Sequence, residues 1–519
     1  MAHSNGPDDG PQRVPGSGPD PRTALFRLIV GHFVNPEALT AAGTGTPLIV
    51  GLRELSVADP EWTAGLIGWL RSQDRMRTVS LMAAAEYVRA RIDAARDQGP
   101  SNRAVVGSVL RRADDPAALI AYWMERYGRS IPKPVKRGVA DAVARLWNGR
   151  ALLEYDHATS GYRFGDILSL VHAVPDPAKP WQPALFRYAV DRRHRPDTAE
   201  PPPADRALTA HRALLDLPVA ERRAAVLAPG GAARLAADGI GAEEVTRLLQ
   251  GTVDASVWEV LIPLMEPLAL VEQLGTFDRV GIAEEAAGRI AERIADPAEV
   301  ARAGALPLRY LAAHQQTSSL RWSEALERAL GHALALVPRL PGRTLVLVDR
   351  SASMWSLLGE GRRLTKADAA SVFGIAVAMR AERADLVQFG SSSAVVRFRP
   401  GDSVLAVLER FVSMGGTHAA EALRERYRGH DRVLVVTDEP AGREPCDTWW
   451  PGVPGPDTAD PGGSGPSGRR AAPVYSWHLA RRPPGARSPG PHCFEGLTDD
   501  AFRMVPLLER AERGEWPWN

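Results

Sequence analysis

Residues 343–353 read RTLVLVDRSAS, and this stretch decides the fold of the carboxyl-terminal part of the chain. Its apolar run is short and continuous, which is typical of a strand buried in a parallel sheet. Further strand-like runs follow as DLVQFG, AVVRFRP, RVLVVTD and PVYSWHL, with helical segments such as TKADAASVFGIAVAMRAE between them. Strands that alternate with helices predict a doubly wound α/β domain over residues 343–511. Its Pro- and Gly-rich stretch at 451–472 cannot support a core and predicts a flexible surface insertion.

The part of the chain before this domain has a different pattern of apolar residues. Segments such as ALFRLIVGHFV, RMRTVSLMAAAEYVRARIDAARDQ and SEALERALGHALALV carry apolar residues at helical spacing, and most begin near Asp, Ser, Thr or Pro. Many helices over residues 23–340, with no dominant long one, predict a HEAT-like helical-repeat superhelix. Residues 1–22 have no apolar periodicity and are predicted to form a disordered tail.

Composition excludes several classes of protein. The chain has 519 residues, with 63 Lys and Arg against 62 Asp and Glu, so it has no global field to attract nucleic acid and would need a local basic patch. Its two cysteines cannot build a disulfide framework or a four-ligand zinc site, and they favour a reducing compartment, by default the cytoplasm. No apolar run is long enough to predict a membrane span.

Oxygen-bearing side chains cluster where the predicted strands end. Asp349, Ser351 and Ser353 follow the first strand, Thr417 lies in the loop MGGTH, and Asp438 ends the strand RVLVVTD. The carboxyl edge of such a sheet is its usual binding edge. Carboxylates, hydroxyls and retained waters suit a hard divalent cation, with Mg²⁺ the first choice on abundance and Mn²⁺ or Ca²⁺ as alternatives. Hydroxyls that only cap a turn, without metal, are the structural alternative.

This ordered set resembles the metal-ion-dependent adhesion site of von Willebrand factor A-type domains. The resemblance covers the α/β domain, residues 343–511. It implies a site whose incomplete coordination shell accepts an acidic residue of a partner protein, or an anion, and does not activate a hydrolytic water. Binding is therefore expected in preference to catalysis.

A helical array followed by an A-type domain resembles the TROVE family, the Ro autoantigen and its bacterial orthologues. The segment beginning IPKPVKRG is similar to the family's core helical stretch, with matching positions at Lys136, Arg137, Tyr155, Tyr162, Asp166, Leu168 and His172. The resemblance implies a monomeric ring closed by the A-type domain. Such a ring binds small Y-type RNAs on its outer surface and takes single-stranded ends of misfolded RNAs into its hole.

RNA-binding roles are carried over to Lys133, Lys136, Arg137 and His172, with Arg129 extending the patch. Lys and Arg neutralise phosphates, while His offers a face for an unstacked base. A histidine at such a place is as often a packing or capping residue.

Two further charged groups bear on the RNA assignment. Glu154 and Asp156 stand where typical members are basic, which argues against Y-RNA-type affinity. The cluster at 192–195, Arg-Arg-His-Arg, is interpreted as a solvated loop in preference to an RNA surface.

Three functional hypotheses remain open from the sequence. The first is an RNA-binding scaffold for RNA quality control or stress response that delivers RNA to an exoribonuclease. The second is a metal-dependent protein-interaction scaffold that has lost RNA binding. The third, a hydrolase, is disfavoured: the chain has no GxxxxGK[ST], HExxH or GxSxG, and the trio Ser351, Asp438 and His418 has no established nucleophile geometry. We expect no enzyme.

Overall fold

The computed structural model describes residues 20–40, 45–251, 253–317, 319–359, 363–399, 401–439, 472–480 and 492–519. Residues 1–19 of the predicted tail lie outside the described residues. Residues 451–471 of the predicted insertion also lie outside them. The first helix begins at Pro21, two residues earlier than predicted, because the Asp20 carboxylate caps it by accepting from the Thr23 amide.

The amino-terminal part is all helical where it is described, as predicted. Its helices are α1 (Pro21–Gly31), α2 (Glu37–Thr40), α3 (Gly45–Ala58), α4 (Pro60–Leu70), α5 (Arg77–Asp93), α6 (Asn102–Val109), α7 (Asp115–Tyr127), α8 (Lys133–Leu146), α9 (Gly149–Tyr155), α10 (Phe164–Val171), α11 (Gln182–His194), α12 (Arg206–Leu215), α13 (Val219–Leu227), α14 (Gly231–Asp238), α15 (Ala242–Leu248), α16 (Ala255–Leu261), α17 (Pro267–Val280), α18 (Glu284–Ala295), α19 (Pro297–Ala303), α20 (Pro307–Gln316) and α21 (Ser323–Leu334). Helices close in sequence pack on one another, as α6 does on α8 and α10 on α11. No described helix has the length and apolar character required to cross a bilayer.

Polar caps explain where many of these helices start. An Asp, Ser or Asn side chain accepts a hydrogen bond from an amide in the first turn, which satisfies a donor that has no partner within the helix. The capping residues of this kind include Asp59, Ser101, Asn148, Asp205, Asp254 and Asp296. The punctuation seen in the sequence therefore marks real helix boundaries.

The carboxyl-terminal part is a six-stranded sheet flanked by helices. Its elements are β1 (Leu340–Asp349), α22 (Lys366–Arg380), β2 (Ala381–Phe389), β3 (Ser393–Val395), α23 (Val404–Leu408), α24 (Ala419–Arg426), β4 (Arg432–Thr437), β5 (Val474–His478), β6 (Cys493–Glu495) and α25 (Ala501–Glu512). The strand order is β3-β2-β1-β4-β5-β6, with only β3 antiparallel. The predicted fold class, helical repeats followed by a doubly wound α/β domain, is confirmed.

Two strands differ from the sequence-based prediction. AVVRFRP was expected to be a full strand, but only Ser393–Val395 pairs with β2, at the edge of the sheet. The three-residue strand β6 was not predicted, because so short a run carries no periodic signal. Cys493 in β6 is disulfide-bonded, which departs from the expectation of reduced thiols, and the other cysteine, Cys446, lies outside the described residues.

The two ends of the chain are packed against each other. Helix α1 contacts α25, and the ring of Trp516 lies 5.4 Å from that of Phe26 and 5.1 Å from that of Trp62, centroid to centroid. Trp518 stacks on Trp516 at 5.9 Å. A Cβ on Gly65 would meet the Trp518 ring at 2.3 Å, so this close approach requires glycine. The helical array is thereby closed through the α/β domain.

A second joint between the two parts is the carboxylate of Asp499. It accepts hydrogen bonds from the amides of Leu306 (3.1 Å) and Leu308 (2.9 Å), at the start of α20. These amides have no partner within the helix, so the carboxylate caps α20 from the other domain. Burial raises the pKa of Asp499 to about 6, although both hydrogen bonds oppose this shift.

We expect Trp516→Ala to lower the free energy of unfolding by about 3–5 kcal/mol, because it empties a buried aromatic site. Trp516 is 6% exposed, whereas Trp181 is 38% exposed, so Trp181→Ala is the matched control and should have a small effect. Denaturant unfolding followed by fluorescence measures both. Equal effects of the two substitutions would contradict the assigned role of the Trp516 contact.

The raised pKa of Asp499 predicts a pH dependence of stability. Because its folded pKa of about 6 lies above the ordinary value of 3.8, the folded state binds the proton more readily than the unfolded state. The contribution of this carboxyl to stability is therefore most favourable below pH 4 and declines as pH rises to 6. We expect the Tm difference between wild type and Asp499→Asn to shift in favour of wild type from pH 7 to pH 5. A pH-independent difference would argue against the raised pKa.

Candidate metal centre and nucleic-acid interface

The parallel pairing of β1 with β4 brings the two predicted aspartates to one edge of the sheet. Val348 is paired with Val436, so Asp349 stands opposite Thr437 and Asp438 follows one residue beyond, at the same end of the two strands. Asp349 is fully buried: its Oδ1 accepts from the Ser351 amide (2.8 Å) and its Oδ2 from the Thr437 hydroxyl (2.5 Å). Burial raises the pKa of Asp349, and these hydrogen bonds counteract part of the rise.

A chain of hydrogen bonds joins the remaining oxygens. The hydroxyls of Ser351 and Ser353 are 3.2 Å apart, and Ser353 donates to Asp438 Oδ1 at 2.6 Å. The structure therefore brings together four of the five predicted residues, Asp349, Ser351, Ser353 and Asp438. We call these four residues the oxygen cluster.

Thr417, the fifth predicted residue, is placed near the oxygen cluster through its loop. The Ala352 amide donates to the Gly415 carbonyl at 2.9 Å, and the Met414 amide donates to the Arg350 carbonyl at 2.9 Å. In the described part of the chain, the Thr417 hydroxyl makes no hydrogen bond to the oxygen cluster. The structure thus supports the position of the loop and leaves the role of the hydroxyl as a prediction.

Sequence reasoning missed two residues of this site. Thr437, the last residue of β4, holds Asp349, and Lys366, the first residue of α22, reaches Asp438: its Nζ is 3.2 Å from Oδ2. Lys366 is one of only four lysines in the chain, but it lies 13 residues beyond Ser353. Only the tertiary structure shows that α22 begins beside the oxygen cluster.

The donors of the oxygen cluster fit a hard divalent cation in their chemistry. Carboxylate and hydroxyl oxygens are the donors that Mg²⁺ and Ca²⁺ prefer, and Mg²⁺ usually keeps several waters beside one or two carboxylates. The described residues contain no group of three or more His, Cys, Asp or Glu side chains suited to a metal. The oxygen cluster supplies two carboxylates, so it is smaller than such a group, and metal binding by its carboxylates and hydroxyls stays a prediction.

Apolar side chains are exposed beside the oxygen cluster. Trp355, Leu357 and Val412 are 44%, 55% and 55% exposed. Arg350 connects two of them, since its guanidinium lies 4.6 Å from the Trp355 ring centroid and its Nε donates to the Val412 carbonyl at 3.3 Å. We call these three residues the apolar rim.

The hydrolase trio is not assembled in the structure. Nδ1 of His418 lies 3.0 Å from the Glu421 carboxylate, while the Ser351 hydroxyl is within hydrogen-bonding distance of Ser353. Nothing in the described part of the chain connects His418 to Ser351 as base to nucleophile.

The predicted RNA-binding cations form one strip at the start of α8. Arg129, Lys133 and Arg137 are exposed and Lys136 is half-buried. Among the described residues, none of these four side chains has an ion pair or hydrogen-bond partner. We call them the α8 basic strip. His172 is exposed at the end of α10, with φ of 55°, a left-handed conformation that His adopts more readily than most residues.

The other basic cluster differs in its pairing. Arg192 and Arg193 pair with Asp156 (3.5 Å) and Asp166 (2.9 Å), and Arg195 pairs with Asp191. These cations are neutralised within the fold. The cluster was expected to be a solvated loop, but Arg192, Arg193 and His194 lie in the last turn of α11. The ion pairs of its three arginines leave less free charge for an RNA surface.

Asp156, one of the two acidic residues that argued against RNA binding, is fully buried. Its carboxylate accepts from the Phe164 amide and from Arg163, both at 2.8 Å. It holds the turn between α9 and α10 and presents no charge to a ligand. Glu154 is exposed, so only this second acidic residue bears on the surface charge.

Comparison with known proteins finds one family model that matches part of the chain. Residues 246–337 match the family model of the TROVE domain. The resemblance to the TROVE family is confirmed. The matched segment runs from α15 to the turn after α21, so it lies outside the IPKPVKRG segment from which the TROVE resemblance was inferred. The match therefore does not test the similarity of that earlier segment to the family, which stays a prediction.

Structural comparison finds a solved structure with a similar fold. The crystal structure of the Ro (RSR) protein of Deinococcus radiodurans superimposes with a TM-score of 0.70 at 20% identity, covering 95% of this chain and 100% of that chain. At this identity the likeness concerns the fold. No curated protein matches the sequence significantly.

The buried position of Asp156 predicts a sharp difference between the two acidic residues of this TROVE-like chain. Asp156→Ala should cost about 3–5 kcal/mol of stability, because it leaves Arg163 without its buried partner. Glu154→Ala, at an exposed position two residues away, should change stability by less than about 0.5 kcal/mol. Denaturant titration measures both. A mild effect of Asp156→Ala would contradict its assigned structural role.

Proposed function

We propose that this protein is an RNA-binding scaffold of the Ro type. The observation that carries the proposal is the α8 basic strip, four neighbouring cations without partners in the described part of a chain whose other basic cluster is neutralised. The TROVE match and the fold shared with the Deinococcus Ro protein support it. A net charge of +1 is compatible with RNA binding when the free positive charge is concentrated at one place.

The local structure of α8 adds to the attraction for phosphate. The helix begins at Lys133 after Pro132, which offers no side-chain cap, so the Lys133 and Val135 amides have no partner within the helix. Pro134 has no N–H to offer, and the Lys136 amide donates to the Pro132 carbonyl at 3.1 Å. The positive end of the helix dipole points to the same place as the Lys133, Lys136 and Arg137 side chains. Phosphates of an RNA backbone are the ligands that such a surface recognises, with little dependence on base sequence.

The RNA we propose is a small structured or misfolded RNA with a single-stranded end, in RNA quality control or a stress response. His172 presents an exposed ring that can stack on an unpaired base. The two nearby tyrosines are less available: the Tyr155 ring lies 5.3 Å from the Arg112 guanidinium, and the Tyr162 hydroxyl contacts Met124. Small Y-like RNAs are a second ligand class, and an exoribonuclease that receives the RNA is the proposed protein partner.

The proposed scaffold is monomeric. The contact that closes the helical array joins α1 and α4 to the carboxyl-terminal tryptophans of the same chain. No second copy is needed to complete it.

We further propose that the oxygen cluster, with Thr417, holds a divalent cation, Mg²⁺ first and Mn²⁺ or Ca²⁺ as alternatives. When bound, the ion would offer coordination to a carboxylate of a partner protein or to another anion. The chain's own residues orient this position: Asp349 is fixed by Thr437, and Ser353 by Asp438.

A second candidate function is a metal-dependent protein-interaction scaffold without RNA binding. The apolar rim favours it, because exposed Trp side chains such as that of Trp355 are enriched at protein-binding surfaces. Capture of a protein partner that fails with both Asp349→Ala and Trp355→Ala, in the absence of any RNA affinity, would favour this function over the first.

The test of RNA binding is the triple variant Lys133→Ala/Lys136→Ala/Arg137→Ala. Removing three phosphate contacts should weaken binding to an RNA hairpin with a single-stranded tail and reduce the slope of log Kd against log salt by about 2. The matched control is Arg195→Ala/Arg206→Ala/Arg212→Ala, which removes three exposed arginines that are ion-paired.

The control should leave the salt slope close to that of wild type. Absence of RNA binding by wild type at 50 mM salt would refute the RNA scaffold. Equal losses in the two triple variants would show that total charge, and not the α8 basic strip, determines binding.

A further inference from the structure

Lys366 is the cationic side chain in contact with the oxygen cluster among the described residues. Its Nζ lies 3.2 Å from Asp438 Oδ2, while the other oxygen of that carboxylate accepts from Ser353. The side chains of Lys366 and Asp438 are only 16% and 7% exposed. Both oxygens of Asp438 are thus engaged within the protein, one of them by a full positive charge.

The backbone holds Lys366 in this position. Its amide donates to the Ser356 carbonyl at 2.9 Å, and Thr365 before it caps α22 by accepting from the Asp368 amide at 3.1 Å. Thr365 also forms a β-bridge with Leu357. The lysine is therefore anchored at a helix start between the loop that follows Ser353 and the body of α22, and its ammonium is directed at Asp438.

An ammonium and a divalent cation compete for the same carboxylate oxygen. The two positive charges repel each other strongly where water is largely excluded. Lysine supplies a compact point charge on a flexible stem, so it can pair with Asp438 or move out to solvent. Removing it leaves a largely buried carboxylate without its counter-ion, which increases that carboxylate's demand for another cation.

We propose that Lys366 is an internal cation that competes with a divalent ion for Asp438 and weakens the metal affinity of this site. The inference rests on the proposed metal centre. It implies that the oxygen cluster is held together without metal by the lysine, and that metal binding releases the Lys366 ammonium to solvent.

The first test is a Mn²⁺ titration of the full chain by calorimetry. Lys366→Met, which keeps an unbranched apolar stem and removes the charge, should bind Mn²⁺ at least ten-fold more tightly than wild type. Lys366→Arg keeps the charge and should bind no more tightly than wild type. Arg206→Met, which removes one exposed positive charge on α12, controls for net charge and should also match wild type.

The second test uses wild type alone and does not depend on the folding of a variant. The chain has four lysines, so mass spectrometry after brief acetylation can follow each one. Lys366 should react slowly without metal and faster when Mn²⁺ is added, while the exposed Lys133 serves as an internal reference whose rate is unchanged.

The outcomes separate the two proposals. Tight Mn²⁺ binding by wild type that Lys366→Met leaves unchanged, or bound Mn²⁺ without faster acetylation of Lys366, would overturn the competition and leave the metal centre standing. Absence of Mn²⁺ binding by wild type and by a folded Lys366→Met would overturn the metal centre and the competition with it.

Discussion

The packing of Trp516 against Phe26 and Trp62 is the contact on which the architecture depends. It joins the last residues of the chain to the first helices, and so converts an open array of short helices into a closed one. Each helix of the array contacts mainly its neighbours, so these local contacts alone determine the curvature of the array only weakly. The buried tryptophan, the Arg27–Glu512 ion pair and the Asp499 cap of α20 each join the helical part to the carboxyl-terminal part of the chain.

The pairing of charges within the fold determines which cations on the protein surface are available to bind a ligand. The chain is rich in arginine, yet many of its arginines neutralise an aspartate or glutamate within the fold, as Arg192 and Arg193 do. A near-zero net charge is then the expected result of structural pairing and says little about ligands. The informative cations are those that the fold leaves without partners, and four of them lie together at the start of α8. Lys366 is informative for the opposite reason, because its partner, Asp438, places it in the α/β site.

Periodicity and strand order were sufficient to predict the two-part architecture, because apolar spacing reports directly on which face of an element is buried. The DxSxS run and Asp438 could be placed at one sheet edge, since the carboxyl ends of neighbouring parallel strands coincide. The short strand β6 and the early end of β3 could not be predicted, because pairing at a sheet edge depends on neighbours and not on local pattern. The burial of Asp156 could not be predicted for the same reason, because burial of a single carboxylate depends on where Arg163 and the Phe164 amide lie.

The sequence by itself determined the fold class, the position of the oxygen cluster and the location of the α8 basic strip, because each of these is encoded in a local run of residues. Only the tertiary structure decided which charges are free. It buried Asp156, paired the 192–195 cluster, left Lys133 and Arg137 exposed and placed Lys366 on Asp438. The physical reason is that an ion pair depends on a distance of a few ångströms between residues far apart in the chain, and no local pattern records that distance.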